Sequence, residues 1–120
     1  MPRTTIAFRL VTMLKQEIPG LTGQASHTGL KKMERWLDKA KLFRMAIEKH
    51  GLISRKAQDW LKMAESSMKV QIMSYKRLLR KEINERELEV KLYEAEVNIN
   101  GCLHLLQLKQ NPEEENPFFD

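Results

Sequence analysis

The chain has 120 residues, a single cysteine and a formal net charge of +5. That length suits one domain. One cysteine excludes an intrachain disulfide, and no apolar run nears the ~20 residues that span a bilayer. Arg9 and Lys15 interrupt the N-terminal apolar residues before they reach signal-peptide length. A soluble protein of a reducing intracellular compartment, cytoplasmic or nuclear, is therefore expected.

Hydrophobic residues make up 42% and charged residues 31% of the chain, with seven Met and little Gly or Pro. That composition favours surface-rich helices over a thick core. The charge is unevenly spread. Residues 31–81 hold fifteen basic and five acidic side chains, or +10, whereas residues 82–120 hold three basic and ten acidic, or −7. The middle can meet phosphate or an acidic protein face, and the C-terminal part would repel nucleic acid.

Residues 4–18 predict a first helix capped by Thr4 or Thr5. Ile6, Leu10, Leu14 and Ile18 form its apolar face, widened by Ala7 and Val11, and Pro19-Gly20 ends it. A membrane-surface role would rest on Arg3, Arg9 and Lys15 alone. Residues 21–28 read as a loop whose glycines match neither a dinucleotide fingerprint nor a P-loop.

Residues 30–50 predict a second helix with Leu30, Met33, Leu37, Ala40, Phe43 or Arg44, and Ile47 on one side and Trp36 adding bulk. Gly51 is placed as the left-handed residue after it, followed by an apolar contact from Leu52, and Ser54 caps the next helix. So short a connection makes the second and third helices an antiparallel pair. A helix-turn-helix reading would give Thr28, Lys31, Lys32 and Arg35 to a DNA groove, but the preceding loop exceeds the 3–4 residues of that motif.

The organising stretch runs from Ser54 to about Gln110. Ala57, Leu61, Ala64, Met68, Ile72, Tyr75 and Leu79 make one helical face, and Arg55, Lys62, Lys69 and Lys76 form a cationic stripe beside it, with Arg77, Arg80 and Lys81 at its end. Leu88, Leu92, Ala95, Ile99, Cys102 and Leu106 then form an a/d-like seam. Two architectures follow. A continuous helix of about 55 residues, favoured by the Glu82–Arg86 and Glu87–Lys91 spacings, would be roughly 80 Å long and would need a second chain over the seam. A bend near Asn84 would instead close a four-helix bundle within the chain. The fold class is all-α, a hairpin or bundle of three to four helices, over residues 1–111. Residues 112–120 are expected to be a flexible acidic-aromatic tail, with Phe118 and Phe119 as a peptide ligand for a basic, apolar pocket.

No catalytic motif is present. His27, His50, His104 and Cys102 have no zinc spacing, no Glu-x-x-His element occurs, and the acidic residues after 82 alternate with cations as on a salt-bridged surface. Neither enzyme activity nor a metal or cofactor is expected. Two functions fit. In one, an oligomeric helical protein holds nucleic acid through Arg55, Lys62, Lys69, Lys76, Arg77, Arg80 and Lys81, joined by Lys31, Lys32 and Arg35. In the other, an assembly module or viral or phage accessory protein uses its segregated charges, the seam and the tail to bind acidic protein partners or itself.

Overall fold

The computed structural model describes residues 3–21, 26–51, 53–88 and 91–110, and the side chains of all of these except 3–5 and 108–110. Leu52 and the tail with Phe118 and Phe119 lie outside the described residues. Four helices form: α1 (Arg3–Glu17), α2 (His27–Lys49), α3 (Arg55–Leu79) and α4 (Leu92–Gln110). There is no strand among the described residues. α2 packs on α3, α3 on α4, and α4 back on α1, which contacts α2 less extensively, so the four enclose one core.

Local chemistry sets most of the helix ends. Ser26 opens α2 by accepting from the Gly29 amide at 3.0 Å, earlier than the start expected at residue 30. α2 ends with Gly51 at φ 60° and its amide on the Glu48 carbonyl, the left-handed terminator read from the sequence. Ser54 then accepts from the Ala57 amide at 3.3 Å and starts α3. The first helix differs from its expected form. It begins at Arg3, so Thr4 and Thr5 lie inside it, and its core face is Ala7, Val11 and Leu14, continued by Ile18 in the 3-10 turn Ile18–Leu21. Ile6 is exposed and Leu10 only half-buried. Residues 6, 10, 14 and 18 drift round the helix by about 40° per step, and the 4-3-4 spacing of the buried set follows the core more closely.

The expected 55-residue helix is not formed. α3 stops at Leu79, where the Lys81 amide bonds the Leu78 carbonyl and the Glu82 amide the Arg77 carbonyl. This is a Schellman terminator with Lys81, at φ 62°, in the position glycine usually fills. Asn84 then caps a 3-10 turn over Glu85–Glu87. Its side chain accepts from the Glu87 amide, and Glu87 accepts from the Asn84 amide. Residues 80–88 thus hold a terminator and a capped turn and α4 starts afresh at Leu92, so Glu82 and Arg86 do not share a helical turn. The energetics favour the break. A left-handed non-glycine residue costs about 1–2 kcal/mol. Burying the Leu92, Ile99, Leu103 and Leu106 side chains against the same chain contributes about 1.5–3 kcal/mol each.

The helices meet through a few specific polar contacts as well. The Trp36 indole N–H donates to the Leu14 carbonyl in the last turn of α1 at 2.9 Å. Arg44 on α2 forks onto Glu65 on α3, the Nε to one oxygen and Nη2 to the other, while Nη1 reaches Glu48 at 3.1 Å. These Glu65 bonds raise the Arg44 pKa above its ordinary value against the opposing effect of burial, and Glu48 adds to the rise. Gln71 on α3 accepts from the Lys91 and Leu92 amides and so caps α4 from across the interface.

Trp60 packs so tightly on α4 that a Cβ at Gly101 would fall 2.6 Å from its ring. Gly101→Ala is therefore expected to destabilise by about 1–2 kcal/mol, because overpacking outweighs the helix-propensity gain of about 1 kcal/mol. In a Trp60→Ala background the same change should become stabilising. Thermal denaturation of the four proteins would test this, and a stabilising Gly101→Ala in the wild-type background would contradict the contact.

Candidate nucleic-acid interface

The core face of α3 is Ala57, Leu61, Ala64, Met68, Ile72 and Tyr75. Burial raises the Tyr75 hydroxyl pKa. Buried Glu65 marks the side of α3 that faces α2, and buried Ser67, Gln71 and Ser74 mark the side towards α4. Seven-residue steps keep Arg55, Lys62, Lys69 and Lys76 on the solvent side of the α2 edge, drifting slowly round the helix, and Arg80 returns to the same line. All are exposed except half-buried Lys76. The ridge from Arg55 to Arg80 is about 38 Å long at 1.5 Å per residue.

Little neutralises these cations. Lys62 lies 3.8 Å from Glu48, a loose pair on an exposed side chain. Arg55, Lys69, Lys76 and Arg80 have no ion-pair partner among the described residues. Arg77 points away round the helix and pairs with Glu82 at 3.7 Å. Lys81 is exposed beyond the helix end. Lys76 and Arg80 share a cleft with His27, Leu30 and Leu79, where the start of α2 meets the end of α3.

The structure separates the α2 cations from this ridge. Lys32 and Arg35 line a cleft of about 390 Å³ with Gln16, Glu17, Leu21 and Trp36, on the side of α2 that faces α1. There Lys39 pairs with Glu17. Lys31 is exposed. Thr28, Lys31, Lys32 and Arg35 are all exposed on one side of α2, and Lys32 and Arg35 place that side towards the end of α1 rather than on the α3 ridge. Lys41, passed over in the sequence, lies three residues before Arg44 and seven before Glu48, both of which face α3. It adds a half-buried cation beside the ridge, and its spacing from Arg44 was the available signal.

The seam offered to a second chain is taken by the first. Leu92, Ala95, Ile99, Cys102 and Leu106 are buried among α1 and α3, and Leu88 is half-buried against the same core. α4 of the acidic half packs on α3 of the basic half. Beside the apolar seam, neutral polar contacts cross this interface: the Asn98 amide donates to Ser67 Oγ at 3.3 Å, and Gln71 accepts from the α4 amides. Burial pushes the Cys102 thiol up to about 12, so at neutral pH it is protonated and no nucleophile. No group of three or more His, Cys, Asp or Glu among the described residues is arranged to hold a metal ion. No described helix is long and apolar enough to cross a membrane. Comparison with protein-family models, characterised proteins and solved structures finds no match.

Proposed function

We propose that this is a non-enzymatic helical protein that holds nucleic acid by its phosphate backbone along the α3 ridge. The observation that carries this is the line of Arg55, Lys62, Lys69, Lys76 and Arg80 on one exposed edge, four of the five without a carboxylate partner among the described residues. Its length of about 38 Å is close to one turn of B-form DNA, about 34–36 Å. Amines and guanidinia on a rigid helix favour phosphate without reading bases, so binding is electrostatic and weakly sequence-dependent. A single copy carries the whole ridge. Oligomerisation would extend it and is not required.

Five phosphate contacts give a slope of about −4.5 in a plot of log affinity against log salt for duplex DNA. Lys62→Glu/Lys69→Glu/Lys76→Glu is expected to reduce that slope to about −2 or to abolish binding. Fluorescence anisotropy with a labelled duplex and a labelled single strand reads both. Absence of binding at low salt, or a triple variant that binds like wild type, would sink the proposal.

The alternative partner is an acidic protein surface. Exposed Leu42, Met45 and Met73 favour it, since apolar side chains on the α2–α3 surface suit a protein partner better than a phosphate chain. Tight binding to an acidic protein with weak, nonsaturating binding to nucleic acid would select it.

A further inference from the structure

A groove of about 550 Å³ runs between α3 and α4, lined by Lys62, Met63, Ser66, Tyr93, Glu94 and Val97, among others. Its apolar members stand open: Met63 is 50% exposed, Val97 42% and Tyr93 71%. Neither the core nor the cationic ridge uses them. We propose that this groove is the docking site of the chain's own C-terminal segment, with Phe118 and Phe119 seated against Met63, Tyr93 and Val97.

Three observations select that occupant. The first is length. α4 ends at Gln110, so Val97 and Tyr93 lie about 20 and 26 Å back along the helix at 1.5 Å per residue. Eight or nine extended residues carry Phe118 and Phe119 about 26–32 Å from Gln110, which spans that distance with slack for one reversal. The second is direction. The Gln71–Leu92, Ser67–Asn98 and Trp60–Gly101 contacts make α3 and α4 antiparallel, so the end of α4 lies beside the start of α3, at the foot of the same groove. Pro112 has no amide hydrogen with which to extend the helix.

The third observation is charge. On such a path Glu113, Glu114 and Glu115 pass the exposed Lys56 and Lys62, with Asp59 the one acid between them. Glu94 lies at the far end, beside the neutral aromatics and beyond the acidic run. An acidic run followed by two aromatics thus matches a groove with cations at its near end and apolar side chains at its far end.

The test is carbon-13 methyl NMR of the methionines in the full chain and in Phe118→Ala/Phe119→Ala. Docking predicts an upfield ring-current displacement of the Met63 methyl that is lost in the double variant, while the core methyls of Met33 and Met68 stay in place. Glu113→Gln/Glu114→Gln/Glu115→Gln should reduce the displacement. A Met63 methyl identical in the two chains would overturn the proposal. So would a displacement that fades on dilution, which assigns the groove to the tail of a second copy.

Discussion

Arg44→Met is expected to lower unfolding free energy by about 3–5 kcal/mol, the cost of leaving a buried carboxylate without its cation. Glu65 is that carboxylate: only 6% of its side chain is exposed, and the Arg44 fork holds both its oxygens. Glu48 cannot substitute, being itself an acid bonded to the same guanidinium. The double change Arg44→Met/Glu65→Leu should recover most or all of the loss, because a buried ion pair is often no more stable than apolar residues of similar volume. Urea unfolding of wild type, both single variants and the double variant measures the coupling. A cost below about 1 kcal/mol for Arg44→Met would mean that water reaches the pair and that it behaves as a surface salt bridge.

Gln71→Leu is expected to cost about 2–3 kcal/mol, because two amides at the start of α4 lose their acceptor, one of them buried. The Gln71 side chain is almost wholly buried, and its amide oxygen takes both the Lys91 and Leu92 N–H groups, the latter at 3.2 Å. Leucine fills a similar volume, so the loss isolates the hydrogen bonds from the packing. The damage should be local first. Hydrogen exchange at residues 91–95 should accelerate more than in the middle of α2, whose ends are capped by Ser26 and Gly51. Uniform acceleration throughout the molecule, or none at Lys91 and Leu92, would show that Gln71 does not cap α4.

Most helix faces were legible in the sequence. Met33, Leu37, Ala40 and Ile47 on α2, Ala57 to Tyr75 on α3, and Leu92 to Leu106 on α4 are buried as their periods require. Periodicity left Phe43 and Arg44 as equals on α2, and they are half-buried together. What separates them is Glu65, which waits on another helix. The end of α3 was harder to read for a different reason. Residues 80–88 carry good helix formers and paired charges, so local preference favours continuation. The signal for a stop was the Asn84-Glu85-Arg86-Glu87 capping box, which has the spacing of a helix start and was outweighed by the surrounding helix formers. In the candidate site, the seven-residue spacing puts Arg55, Lys62, Lys69 and Lys76 along one edge of α3. It could not show that Lys32 and Arg35 face α1, since that depends on which side of α2 each neighbour occupies.

The sequence by itself determined the apolar stripes of α2, α3 and α4, the Ser54 cap, the Gly51 terminator and the separation of charge along the chain. Each is a matter of spacing or of chemistry within a few residues, and helix geometry converts those directly into faces and ends. Only the tertiary structure decided that the seam from Leu92 to Leu106 is covered by α1 and α3 of the same chain. Burial of that seam exceeds what a longer exposed helix would gain, and the comparison involves partners distant in sequence. The same holds for Gln71, Trp60 and Glu65. Each takes its meaning from a residue at least twenty positions away, and no local period records such a pairing.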